Sequence, residues 1–85
     1  MSDHSPSRAG TDVRKTVTDR WLSVLQQDEE LEDYTFFELG GTSIAASQLI
    51  LQLSRDFGQR IPLTALTENP TLRQFRDHLT LLVPA

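Results

Sequence analysis

The sequence predicts an all-α fold: a small four-helix bundle of three main helices and one short one. Three observations predict it. Apolar residues recur at helical spacing in three separate stretches, within 13–25, 46–57 and 72–82. No stretch carries a strand signal, an internal repeat or the mark of a second domain. Gly40–Gly41, Gly58 and Asn69–Pro70, which turn or stop a chain, fall between those stretches rather than inside them.

The elements follow in order. Residues 1–10 mix Ser, Pro, Gly and charge without a period and are expected to form a flexible tail. Thr11 or Asp12 can then cap the first helix, whose buried face is Val13, Val17, Trp21, Val24 and Leu25 and which ends near Gln26–Gln27. From Asp28 to Thr42 the periodicity vanishes. Leu31, Tyr34, Phe36, Phe37 and Leu39 are nevertheless too apolar for a solvated linker, so a long packed loop is expected, of the kind that often carries function.

The second helix runs from Ser43 to Phe57, with Gly58 suited to the left-handed conformation that ends a helix. At about 100° per residue, Leu49, Ile50, Leu53 and Phe57 fall within about 60° of Ala46 and make the core face. Ile44 and Leu51 land at about 160° and 140°, on the far side with Ser47, Gln48 and Arg55. Two large aliphatics are therefore expected to face solvent. A short helical turn at Leu63–Thr67 follows, kept brief by Asn69–Pro70. The last helix opens at Thr71 with a capping-box pattern, Thr71-x-x-Gln74, and buries Leu72, Phe75, Leu79 and Leu82. The packed unit is thus expected over residues 11–82, with 83–85 as a C-terminal tail.

A chain of 85 residues buries only roughly 60–65% of its unfolded surface, which leaves a thin core and little room for an enclosed active site. With 38% hydrophobic and 24% charged residues it has the balance of a folded soluble domain. Neither a membrane-length apolar run nor a signal-peptide core is present, so a cytoplasmic monomer is the expectation. The net charge of −4 argues against a nucleic-acid partner, whose phosphates demand clustered Lys and Arg. Acids cluster instead, in DEELED (28–33) and Glu38, either as a solvated loop or as a patch for a basic partner. Cysteine is absent, which excludes disulfides, thiolate metal sites and a thiol belonging to the protein itself.

The chemistry concentrates at "LGGTSI", residues 39–44. A helix N-terminus exposes backbone N–H groups and about half a positive charge, and two glycines let the chain turn into it without crowding whatever is attached there. Gly40, Gly41, Thr42 and Ser43 would suit a bound or covalently linked phosphate. A reading without a ligand also accounts for them: the glycines make a turn and Thr42 or Ser43 caps the helix. Two enzyme motifs fail here. No lysine stands beside Ser43 as the phosphate loop of nucleotide hydrolases requires, and GTSIA lacks the second glycine of a hydrolase elbow. Asp56 or Asp77 with His78 follow Ser43 in hydrolase order, but this chain cannot build the sheet that positions such a triad. No catalytic residue and no metal ligand is assigned.

The run from Asp33 through Phe36, Phe37, Leu39, Gly40, Gly41, Ser43 and Ile44, with "NPTL" at 69–72, resembles the phosphopantetheine-binding carrier proteins. The double glycine and aromatic pair are most similar to the peptidyl carrier, or thiolation, domains of nonribosomal peptide synthetases. The resemblance covers about residues 12–82 and implies the acyl-carrier type of bundle. It implies that Ser43 receives 4′-phosphopantetheine from coenzyme A through a magnesium-dependent phosphopantetheinyl transferase, and that the chain is a non-catalytic carrier of thioester-bound aminoacyl or peptidyl groups. Implied partners are an adenylation enzyme and condensation, tailoring or thioesterase enzymes. Ile44 matches the family's contact residue, and Ser47, Gln48, Leu51 and part of the short helix, Ala65 and Leu66, would extend that surface. Thr42 stands where such proteins usually have His or Asp, which removes a charge that partners could read. A free-standing protein is the preferred expectation. The alternatives are an acyl or aryl carrier of a polyketide-type pathway and a helical interaction module without a prosthetic group.

Overall fold

The computed structural model describes residues 9–83, with side chains from Val13 onward. Among the described residues four helices form: α1 (Ala9–Leu25), α2 (Ser43–Phe57), α3 (Thr64–Thr67) and α4 (Leu72–Leu82). α1 is the hub, packing along both α2 and α4, while α3 rests on α4. Among the described residues there is no strand, and no helix is long and apolar enough to cross a membrane.

Helix ends follow local chemistry. α2 stops at Gly58, whose φ of 64° turns the chain so that Gly58 and Gln59 donate back to Arg55 and Ser54 carbonyls. α4 starts on the expected capping box, with Gln74 N–H donating to Thr71 Oγ1 at 3.1 Å and Thr71 N–H to the Gln74 side chain at 3.3 Å. α1 departs from expectation at its start. Its helix already includes Ala9 and Gly10, so neither Thr11 nor Asp12 is the cap. Ala9 has the highest helix propensity of any residue, and the helix runs on from it through Gly10 despite the poor propensity of glycine. The remainder of the expected tail, residues 1–8, lies outside the described residues. At the other end Val83 is buried and donates to the Leu79 carbonyl, so packing extends one residue past 82; residues 84–85 lie outside the described residues.

The core joins Val13, Val17 and Trp21 of α1 to Ala46, Leu49, Ile50 and Leu53 of α2 and to Leu72, Phe75 and Leu79 of α4. Phe57 and Leu82, expected inside, are half-buried at helix ends. The 26–42 loop contributes one residue deep in this core, Phe36, set edge-on to Trp21 at 5.2 Å. Trp21 also meets Phe75 at 5.8 Å, and each aromatic pair is worth about 0.5–1.5 kcal/mol beyond its area. Phe36 is held by its backbone too, donating to the Pro70 carbonyl at 2.8 Å beside an isolated bridge between Thr35 and Thr71. Leu31 and Leu39 are half-buried, whereas Tyr34 and Phe37 are exposed, so the loop packs through alternate members of its apolar set.

Candidate functional site

Ser43 is the first residue of α2 and is exposed. The cap is its neighbour, Thr42, whose extended backbone (φ −107°, ψ 171°) lets Oγ1 accept from Ala45 N–H at 3.1 Å. The Thr42 hydroxyl is thus spent on the helix, while Ser43 stands one position inside it, where backbone N–H groups have no carbonyl to meet. No acidic side chain lies in the first turn of α2, so its partial positive charge is not offset from within the helix. Glu38, the nearest acid in sequence on the loop side, has its carboxylate accepting Thr35 N–H at 2.8 Å.

The two glycines before this terminus do different things. Gly40 has φ 94°, with open space where a Cβ would stand; it makes the turn. Gly41 has an ordinary φ, but a Cβ there would overlap the Phe36 ring and come within 2.7 Å of the Phe36 carbonyl oxygen, which accepts Gly41 N–H at 2.9 Å. The bareness of Gly41 therefore serves the core, by letting the chain lie flat on Phe36. Only Gly40 clears space on the outer side.

The far face of α2 is as the helical phase predicts. Ile44 is 73% and Leu51 52% exposed, and with Ser43, Ser47 and Gln48 they line a depression of about 340 Å³. Ser47 and Leu51 pass it on to a second depression of about 570 Å³, floored by Ile50 and Ile61 and edged by Arg55, Arg60 and Leu63. Ala65 and Leu66 do not belong to this surface. They are 2% and 0% exposed, because a single-turn helix lying on α4 turns its middle residues inward. The outward apolar residue of that segment is Leu63, 46% exposed. The spacing of Ile61 and Leu63 around Pro62 in "RIPL" was the available signal for it.

Other sequence candidates are engaged elsewhere. Asp56 accepts two bonds from Arg20 at 2.7 and 2.9 Å, and Asp77 accepts from Arg14 at 3.0 Å, so both carboxylates serve α1. The acidic stretch is engaged in part: of its five acids in 28–33, Glu30, Glu32 and Asp33 pair with arginines of α4, although all but Glu32 stay exposed. Glu32 bonds Arg76 and lies 3.2 Å from Arg73, Asp33 accepts from Arg73 at 2.9 Å, and Glu30 accepts from Arg76 at 3.4 Å. Hydrogen bonds from these guanidiniums hold the Glu32 and Asp33 carboxyls below their ordinary range. Arg76 itself, only 7% exposed, was not foreseen. Its position lies about 40° from Leu72, inside the buried stripe of α4, so helical phase carried the signal and residue type masked it.

Comparison with known proteins adds the following. A family described as "phosphopantetheine attachment site" matches residues 15–79. An L-2-aminoadipate reductase of Saccharomyces cerevisiae is 36% identical over 67 residues, covering 76% of this chain and 5% of the reductase. The phosphinothricin tripeptide synthetase PhsB of Streptomyces viridochromogenes is 33% identical over 66 residues, covering 78% of this chain and 6% of the synthetase. The chain thus spans only a small fraction of the length of these relatives. Among solved structures, BlmI, a type-II acyl carrier protein of Streptomyces verticillus involved in bleomycin biosynthesis, superposes with a TM-score of 0.78 over 92% of this chain and 94% of BlmI. At 19% identity that likeness concerns the fold.

Proposed function

The chain belongs to the phosphopantetheine attachment-site family, and from that membership we propose that Ser43 is its attachment point and that it serves as a peptidyl carrier in nonribosomal peptide or hybrid natural-product biosynthesis. The family is non-catalytic and carries 4′-phosphopantetheine covalently. One observation supports the assignment to Ser43 above all: its hydroxyl is exposed at a helix N-terminus beside a bare turn, while the adjacent Thr42 hydroxyl is committed to the cap.

These residues fit the group. The linking phosphate would lie against the open end of α2, with Ser43 and Ile44 N–H directed at it and no acid in that turn to repel it. In the attachment step Ser43 Oγ bonds to phosphorus as the bond from phosphorus to the adenosine bisphosphate of coenzyme A breaks. The serine proton leaves to the transferase, since no acid lies in the first turn of α2 to take it. Once bound, the arm supplies the thiol that this cysteine-free chain lacks, on which acyl groups ride as thioesters.

Ile44, Ser47, Gln48 and Leu51 form the surface partners meet, joined by Leu63. A carboxylate does not acylate a thiol unaided, so an adenylating enzyme supplies the activated cargo, and condensation, tailoring or thioesterase enzymes take it onward. The carrier unit is the packed region, about residues 9–83, acting in the cytoplasm, where coenzyme A is present.

The test is mass spectrometry after incubation with coenzyme A, magnesium and a broad-specificity transferase. One phosphopantetheinyl unit is expected on the native protein and none on a folded Ser43→Ala variant. Modification of that variant, or none of the native protein, overturns the assignment.

A further inference from the structure

A buried arginine is costly: a charged side chain leaves water only when its hydrogen bonds and charge are met inside, and an apolar residue of similar volume often serves stability as well or better. Position 76 lies on a stripe otherwise made of Leu72, Phe75 and Leu79, where an apolar side chain would suit the packing. Arg76 instead donates from Nη1 to Thr18 Oγ1 at 3.0 Å and to Glu30 at 3.4 Å, and from Nη2 to Glu32, with its Nε–H left unmet. One turn earlier Arg73 grips Asp33 and Glu32 through its side chain, and its backbone N–H donates to the Glu32 carbonyl at 3.2 Å.

All these acceptors but Thr18 lie in the 30–33 segment. From there the connection to the site is short. Thr35 pairs with Thr71, Phe36 hangs from Pro70 and enters the core, and the Phe36 carbonyl holds Gly41 N–H, two residues before Ser43. Besides the shared core, this loop is a direct backbone connection from α4 to the N-terminal end of α2.

We propose that Arg76 is a positioning residue: with Arg73 it latches the 30–33 segment onto α4 and so holds the Gly40–Gly41 turn and Ser43 in the pose that a modifying enzyme recognises. The second half of this statement rests on the function proposed above; the first half does not. It separates Arg76 from the rest of the core, since its effect is local to the loop and to the start of α2.

The test pairs Arg76→Met, which keeps the aliphatic stem, with Glu32→Gln, which weakens the latch from its more exposed side. Amide hydrogen exchange and the kinetics of phosphopantetheinyl transfer are read on both. Exchange at Leu39, Gly40 and Gly41 is expected to quicken by roughly tenfold or more while central α1 and α2 amides keep their protection. The KM of the carrier for the transferase is expected to rise with kcat little changed, and Arg76→Lys to restore part of the loss. Native exchange at residues 39–41 in both variants overturns the latch. So does an Arg76→Met variant that fails to fold beside a Glu32→Gln variant identical to the native protein, which would make Arg76 a packing residue only. If the native protein takes no phosphopantetheine, the attachment reading falls, and the exchange data still decide the latch.

Discussion

Gly41 carries no side chain because Phe36 occupies the space one would need, and this sets apart two neighbours that look interchangeable in the sequence. Gly41→Ala is expected to lose about 1–3 kcal/mol, the usual cost of overpacking a core, read as a lower urea midpoint. Gly40→Ala meets no atom and is expected to lose about 1 kcal/mol from the left-handed backbone alone. Ile44→Asp should stay within about 0.5 kcal/mol of the native protein in thermal unfolding, since the side chain faces solvent, yet slow modification and partner turnover. Loss of folding in that variant would place Ile44 in the core. The exposure of Ile44 and Leu51 was legible because a fifteen-residue helix fixes its own phase. That of Ala65 and Leu66 was not, because four residues of helix give no phase to read. Whether Thr42 or Ser43 capped α2 stayed open for a different reason: either hydroxyl can make that bond, and only the backbone geometry decides which does.

At the scale of elements, the helices were readable and the loop between α1 and α2 was only half so. The capping box, the terminal Gly58 and the span of α2 are local chemistry, and each stands where spacing put it. Thr71→Ala is expected to lose about 1 kcal/mol through the cap, measured by chemical denaturation, with the α2 face unaffected. The loop is organised by partners far away in the chain. Glu32 meets Arg76 and Asp33 meets Arg73 across some forty residues, and no local window contains both ends of such a pair. The acidic run therefore gave no sign of its partners, although Arg73 and Arg76 of α4 pair with three of its five acids. The apolar character of the loop did announce that it packs, but not that Phe36 alone goes fully inside while Phe37 stays out.

At the scale of the molecule, α1 carries the assembly, and its Trp21 touches the aromatic residue of the loop and that of α4. Trp21→Ala is expected to lose about 3–5 kcal/mol, a large share of the 5–15 kcal/mol typical of a small domain, and to leave the protein partly unfolded by circular dichroism. The acid limb of stability follows from the loop pairs. Glu32 and Asp33 are held below their ordinary range, so the stability they contribute is complete above the unfolded carboxylate range and drains away as pH falls through their lowered values. The melting temperature should change little between pH 7 and about 5 and fall below about pH 4, with a shallower fall in a folded Arg73→Met, Arg76→Met protein.

The groove that starts at Ser43 and continues past Leu51 runs along one helix of 15 residues, about 22 Å long. A protein footprint of about 800 Å² is a patch roughly 28 Å across, wider than the whole helix. On the function proposed above, enzymes that grasp this strip would have to take turns, competing for a single berth. An inert protein with affinity for the strip would then be expected to block the others, whatever their chemistry, simply by staying.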